Sequence, residues 1–114
     1  MAPAYDGKER RRHYRIRYPI MRRPQVDVWG KRFEVVDVSE GGVRFNYPHR
    51  EDVELGQPVQ AVILFDDKES ADVEGRVVRV EPRRVALELT VGIPYSRIVQ
   101  EQLRLLSRSA VRPR

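Results

Sequence analysis

Most of the excess positive charge of the chain lies in or beside an arginine-rich stretch near the N-terminus. The stretch reads Glu9-Arg10-Arg11-Arg12-His13-Tyr14-Arg15-Ile16-Arg17. A guanidinium is planar and permanently charged, and its parallel N–H donors match phosphate oxygens and equally the O6/N7 edge of guanine. Tyr14 and the arginine planes offer stacking surfaces for a base. The stretch therefore indicates a site for an anionic ligand that carries a base, with Arg11 and Arg15 as candidates.

A second polar stretch reads Asp37-Val38-Ser39-Glu40-Gly41-Gly42. Asp37 offers only acceptors, which suit the N1–H and N2–H₂ donors of a guanine. Ser39 can donate to a phosphate or accept from a base, and Gly42 lets a ligand approach the backbone closely. Taken alone, each stretch has a plain reading, as a solvated basic tail or as ordinary hairpin-turn chemistry. Taken together, they predict one site for guanine plus phosphate.

The charge of the chain is unevenly distributed along its 114 residues, whose formal net charge is +5. Residues 8–23 carry eight Lys/Arg against one Glu, whereas residues 24–103 carry ten Lys/Arg against fifteen Asp/Glu. A protein that coats nucleic acid usually spreads its basic residues over one face of the fold. The acidic body therefore favours a small, focused anion site over a long phosphate track.

Several function classes are disfavoured by what the chain lacks. It has no cysteine, which excludes disulfides, cysteine-based zinc sites and thiol catalysis. His13 and His49 are too isolated to indicate a metal site, and Ser39 has no base beside it, so we predict no enzyme activity, no metal and no cofactor. No apolar run reaches the ~20 residues of a membrane-spanning helix, and the N-terminus lacks the apolar stretch of a secretory signal. The expectation is a soluble, cytoplasmic protein without membrane insertion.

Alternating apolar residues predict an all-β domain. Residues 1–8 are predicted to be disordered, and residues 9–23, here called the basic arm, to be extended and flexible. Six strands are predicted over residues 26–28, 33–36, 43–47, 59–65, 73–80 and 85–89. A slip of the apolar phase between Val77 and Val78 indicates a β-bulge, and Gly75 fits a barrel corner. Six short strands favour a closed antiparallel β-barrel, because closure removes exposed strand edges.

The C-terminal segment has helical periodicity after Pro94, which can open a helix. Apolar residues recur there at spacings of three and four, and they are Tyr95, Ile98, Val99, Leu103 and Leu106. The opposite side is assigned to Arg97, Gln100, Glu101 and Arg104. The pattern predicts a C-terminal α-helix whose apolar stripe lies on the barrel or serves a dimer. Residues 107–114 are predicted to be a frayed tail.

The two polar stretches resemble the motifs of the PilZ domain, a bacterial receptor domain for cyclic di-GMP. The family pattern is RxxxR in an N-terminal loop, then (D/N)xSxxG at the end of the second strand of a six-stranded barrel. Residues 11–15 match the first motif and residues 37–42 the second, and the resemblance covers residues 9–106 as one domain. It implies a non-enzymatic receptor in which Arg11 and Arg15 bind phosphates and guanine edges, while Asp37 and Ser39 hold a guanine.

The resemblance also implies how the output arises. Ligand binding would order the basic arm and change the surface offered to an effector protein, which the sequence does not identify. Arg10, directly before the first motif, is placed to stack on or neutralise a second ligand, so we hypothesise a stacked cyclic di-GMP dimer. The family implies outputs in motility, exopolysaccharide production, biofilm formation and virulence. For the protein itself, a monomer or weak homodimer is expected.

Two alternatives belong to other function classes. One is a small barrel that binds nucleic acid through its basic arm, which the acidic body disfavours. The other is a ligand-free interaction domain whose arm docks to an acidic partner.

Overall fold

The computed structural model of the protein describes the backbone of residues 15–111 and the side chains of residues 15–49 and 51–106. Its strands are β1 (Ile16–Arg17), β2 (Gln25–Val28), β3 (Lys31–Ser39), β4 (Gly42–Asn46), β5 (Pro58–Leu64), β6 (Ser70–Glu81) and β7 (Arg84–Val91). Short 3-10 turns cover Ile20–Arg22 and Arg50–Asp52, and one helix, α1, covers Tyr95–Val111. None of the helices in these residues is long and apolar enough to cross a bilayer.

Six of these strands close a barrel. Antiparallel pairs run β3–β2, β2–β5, β5–β6, β6–β7 and β7–β4, and the β4–β3 pair completes the ring. β1 pairs with the stretch of β3 that β2 does not reach, with Ile16 opposite Val38. The predicted six-stranded antiparallel barrel with a C-terminal helix is therefore confirmed, and β1 is an additional short strand.

The described part of the basic arm, residues 15–23, lies against the barrel. Ile16 and Tyr18 are buried at 5% and 6% exposure, and the backbone N–H of Tyr18 donates to the carbonyl of Val36 at 3.0 Å. The predictions that concern residues 1–14 lie outside the described residues.

The interior is filled by the inward-facing residues of every strand, as period-two alternation requires. The largest apolar side chains without any exposure are Phe45, Ile63, Val26, Val35, Val38 and Val85 of the strands and Ile98 of the helix. Trp29 is partly buried, with its ring centroid 5.2 Å from that of Tyr47. It occupies a left-handed position (φ 53°) in the turn before Gly30.

The predicted bulge in β6 is present, because the register with β7 shifts between Val77 and Arg79. Val77 is buried, Val78 and Arg79 are both exposed, and Val80 packs against the core again, so the extra residue shifts the inward-facing phase by one position. A Cβ added to Gly75 would collide with the backbone carbonyl of Glu88. Glycine is therefore required where β6 and β7 approach each other most closely.

Helix α1 begins where predicted, at Tyr95, but continues to Val111, and the prediction of its buried side was wrong. Ile98 is fully buried, yet Tyr95, Leu103 and Leu106 are more than half exposed. Glu101, assigned to the solvent side, is 0% exposed. The helix therefore packs on the barrel through a charged residue in addition to apolar ones.

Glu101 is tolerated in this position because three donors surround its carboxylate. The hydroxyl of Tyr18 donates to Oε1 at 2.6 Å, and Arg97 and Arg104 donate to Oε2 at 3.1 and 2.9 Å. We call these four residues the Glu101 cluster. A buried carboxylate is strongly unfavourable unless it is paired and hydrogen-bonded, and here both oxygens are satisfied.

Arg97 extends this cluster to the turn between β5 and β6. Its guanidinium donates to Asp67 Oδ1 at 2.7 Å and lies 4.2 Å from the ring centroid of buried Phe65. Hydrogen bonding from Arg97 lowers the pKa of Asp67 to about 2. The helix, the turn and the arm are thus joined by one set of charged contacts.

The buried Tyr18 hydroxyl predicts a loss of stability at high pH. Burial, followed by the hydrogen bond to Glu101, raises the pKa of Tyr18 well above its ordinary 10.0. Above pH 10 the unfolded chain loses this proton and the native chain keeps it, so the free energy of unfolding falls by about 1.4 kcal/mol per pH unit. Tyr18→Phe lacks this contribution.

Urea denaturation of both proteins from about pH 9 to about pH 11 measures the difference, since the other titrating groups are common to both. We expect the wild type to lose its stability advantage over Tyr18→Phe as the pH rises. Parallel curves would contradict the buried hydrogen bond.

Candidate functional site

Asp37 and Ser39 lie near the end of β3, in a hairpin whose turn is only Glu40 and Gly41. The register places Ser39 opposite Gly42 and Asp37 opposite Arg44. Val38 between them is fully buried in the core, so Asp37 and Ser39 belong to the outer face of the barrel. They are nevertheless only 1% and 5% exposed, and two arginine side chains lie on the Asp37 carboxylate.

Two guanidinium groups hold the Asp37 carboxylate. Arg44 donates to Oδ2 from Nη2 at 2.6 Å and from Nε at 3.1 Å, and Arg15 donates to Oδ1 at 3.4 Å. The Arg44 side chain is 19% exposed and that of Arg15 is 49% exposed. We call these three residues the Asp37 cluster. It contains one firmly held cation and one loosely held cation on the same buried carboxylate.

Further charges lie beside this cluster across β7 and β6. Arg44 and Arg79 each approach Glu81 Oε2, at 3.7 and 3.4 Å. Ala86 of β7 is the cross-strand partner of both Arg44 in β4 and Arg79 in β6. The side chain between the two arginines is therefore a single methyl group. The outer face of these strands is thus a shallow surface with three arginines and two carboxylates.

Gly42 has a structural role beside its predicted role in ligand approach. A Cβ at this position would lie 3.2 Å from the carbonyl oxygen of Leu87 and 3.5 Å from Ser39 Oγ. The first distance is tighter than ordinary packing allows. Glycine therefore keeps the strands together and leaves room above the Ser39 hydroxyl.

Four of the six predicted site residues are brought together by the fold: Arg15, Asp37, Ser39 and Gly42. Arg10 and Arg11 lie outside the described residues. Sequence reasoning missed Arg44, although a two-residue turn after Ser39 fixes it as the cross-strand partner of Asp37. Arg79 could not be placed from the sequence, because its position depends on the bulge in β6 and on the pairing of β6 with β7.

Some concave surfaces of the described residues lie elsewhere on the barrel. Two neighbouring depressions of about 430 and 550 Å³ share Trp29, Gln60 and Glu74. The side-chain atoms of His49, Glu51 and Asp52 that could ligate a metal ion lie within 4.8 Å of one another, but all three side chains are exposed. Neither feature contains a residue of the Asp37 cluster.

The model of the PilZ domain family matches residues 9–109. Among solved structures, the chain is similar to MotI/DgrA, the inhibitor of motility of Bacillus subtilis, with a TM-score of 0.60 and 17% identity over 90% of this chain. The chain spans 54% of that protein's length. It is also similar to an uncharacterized Legionella protein, with a TM-score of 0.58 and 13% identity, covering 86% of this chain and 99% of that one. No curated protein matches the sequence.

The Asp37 cluster predicts a large difference between two arginine substitutions. Arg44→Ala leaves the buried Asp37 carboxylate with only the weaker contact to Arg15 at 3.4 Å. Breaking a buried ion pair in this way lowers the free energy of unfolding by about 3 kcal/mol. Arg76→Ala is the matched control, because Arg76 pairs with Glu88 at 3.0 Å while both side chains are more than half exposed. Exposed pairs contribute about 1 kcal/mol or less.

Denaturant unfolding of both variants measures the two losses. Adding Asp37→Asn to Arg44→Ala removes the buried charge and is expected to restore part of the stability. Equal losses in Arg44→Ala and Arg76→Ala would show that the Asp37 carboxylate does not depend on Arg44.

Proposed function

Because the chain belongs to the PilZ domain family, a family of non-catalytic receptor domains for cyclic di-GMP, we propose that it binds cyclic di-GMP and acts as an adaptor on another protein. The observation that supports this most directly is the buried Asp37 carboxylate, with one tightly bound and one loosely bound arginine. A ligand that brings both phosphate and guanine can take over the loose contact without leaving a charge unpaired.

The exchange proceeds at Oδ1 of Asp37. Arg15, at 3.4 Å and half exposed, turns from the carboxylate to a phosphate of the ligand. The N1–H and N2–H₂ donors of a guanine then bind Oδ1 in its place. Arg44 remains on Oδ2 and keeps the negative charge compensated throughout.

Ser39 and Gly42 define where the guanine enters. Ser39 is nearly buried, and Gly42 beside its hydroxyl has no side chain. A ligand group therefore reaches the Ser39 hydroxyl by approaching over Gly42. Arg11 supplies a second guanidinium from the basic arm to the phosphates and guanine edges. A bidentate arginine contact of this kind recognises the O6/N7 edge of guanine, which adenine lacks.

The output in this proposal comes from the arm. When cyclic di-GMP bridges the arginines of the arm to the barrel, the surface next to β1 changes, and an effector protein binds that changed surface. The likeness to a protein named as an inhibitor of motility makes motility the first output to test.

Isothermal titration with cyclic di-GMP tests the receptor. We expect micromolar or tighter binding to the wild type and at least about hundredfold weaker binding to Arg11→Ala/Arg15→Ala, since two charge-assisted contacts are lost. Arg32→Ala is the charge control, because Arg32 is exposed and bound to Asp27 at 2.7 Å, away from the Asp37 cluster. It is expected to bind as the wild type does.

Two further titrations separate the alternatives. Cyclic di-AMP is expected to give no heat, because adenine cannot donate to Asp37 from N1. Binding of single-stranded DNA that weakens only slightly in Arg11→Ala, with the salt slope reduced by about one unit, would instead support the nucleic-acid barrel. No heat with cyclic di-GMP and no thermal shift would overturn the receptor.

The stacked-dimer hypothesis has its own test in the stoichiometry. If Arg10 supports a second ligand, the titration gives two cyclic di-GMP per chain, and Arg10→Ala lowers this to one. Arg12→Ala removes the same charge between the motif arginines and is expected to leave the ratio at two. One nucleotide per wild-type chain at saturation would exclude the dimer.

A further inference from the structure

The segment of residues 15–18 presents its side chains alternately to two different parts of the molecule. Arg15 and Arg17 are exposed on one face, and Ile16 and Tyr18 are buried on the other. Arg15 contacts Asp37, whereas Tyr18 contacts Glu101 of α1. One short extended segment thus has the ligand site on its outer face and the C-terminal helix on its inner face.

A few backbone bonds and these inner side chains hold the segment in its register. β1 consists of two residues, paired as Ile16 with Val38 and Arg17 with Asp37. A strand this short gains little from pairing alone. Ile16 contributes apolar burial, which has no directional preference, and Tyr18 adds a directional bond of 2.6 Å to a buried charged acceptor. The Tyr18 hydroxyl therefore contributes a directional contact to the register that places Arg15 beside Asp37.

The same bond fixes the helix. Glu101 lies in the middle of α1, and its other oxygen is held by Arg97 and Arg104 of the same helix. Tyr18 is the donor to Glu101 from outside the helix within the described residues. The carboxylate therefore connects the position of α1 to the position of β1.

We propose that Tyr18 and Glu101 couple the ligand site to α1, with Tyr18 acting as a positioning residue for Arg15. This rests on the proposed binding of cyclic di-GMP. Ligand contacts that hold Arg15 in place stabilise the register of β1, and this stabilises the Tyr18–Glu101 bond and the docking of α1. Coupling between two sites is reciprocal. The factor by which ligand binding stabilises the Tyr18–Glu101 bond is therefore the factor by which loss of that bond weakens ligand binding.

Tyr18→Phe tests the coupling, because it removes only the hydroxyl and leaves Arg97 and Arg104 on Glu101. We expect cyclic di-GMP to bind about five- to tenfold more weakly to this variant, within the usual range of coupling between sites. Tyr47→Phe is the matched control, since Tyr47 is equally buried at 8% exposure but packs among aromatic rings. It is expected to change the affinity less than about twofold.

Hydrogen exchange gives a readout that a purely structural role of Tyr18 does not produce. In the wild type and in Tyr47→Phe, cyclic di-GMP is expected to slow exchange both at the β3–β4 hairpin and along α1. In Tyr18→Phe the hairpin still responds and α1 does not.

The outcomes separate the two proposals. If the wild type gives no heat with cyclic di-GMP, the receptor and the coupling fall together. If the wild type binds but Tyr18→Phe binds equally well, or if α1 exchange does not respond to ligand in the wild type, only the coupling is overturned.

Discussion

A buried negative charge on the barrel wall sets the arrangement of this molecule. The Asp37 carboxylate is 1% exposed, and a carboxylate removed from water must be compensated by cations and donors or lose its charge. Arg44 compensates it from β4, and Arg15 from the segment that precedes β1. The requirement therefore connects β3 to β4 and to the residue before β1, and it brings the described part of the basic arm to the barrel.

The same physical device recurs on the inner side of that segment. Glu101 is completely buried and is satisfied by two arginines of its own helix and by Tyr18. Residues 15–18 thus lie between two buried carboxylates, Asp37 at the proposed ligand site and Glu101 in the helix. Removing Arg15 or Tyr18 takes the donor from one oxygen of a buried carboxylate, while the other oxygen keeps its arginine contacts. Losing such a buried hydrogen bond costs more than losing an exposed ion pair. This makes the position of the segment specific, although β1 itself is only two residues long.

The sequence predicted what depends on local pattern and missed what depends on distant contacts. Strand alternation identified the six barrel strands, and the shift from Val77 to Val78 located the bulge, because both are visible within a few neighbouring residues. The buried face of α1 could not be found in this way. Its stripe of apolar residues is real, but the donor that allows Glu101 to be buried, Tyr18, is 83 residues away.

The position of Arg44 was missed, although it depends on local sequence. A hairpin with a two-residue turn fixes which residues face each other, so the partner of Asp37 could have been derived from the turn alone. Arg79 could not, because its place beside Ala86 depends on the bulge in β6 and on the pairing of β6 with β7.

The asymmetry of the two arginines on Asp37 explains how a buried charge can belong to a binding site at all. A fully satisfied carboxylate has nothing to offer a ligand, and an unsatisfied one would destabilise the fold in the absence of ligand. With Arg44 at 2.6 Å and Arg15 at 3.4 Å, the charge stays compensated by the first while the second remains exchangeable. A ligand gains affinity only if it supplies donors for Oδ1 and an anion for the displaced arginine, because one without the other leaves a group unpaired. A ligand that carries both guanine and phosphate meets both conditions. The need to keep the buried Asp37 charge compensated therefore also determines which ligands the proposed site binds.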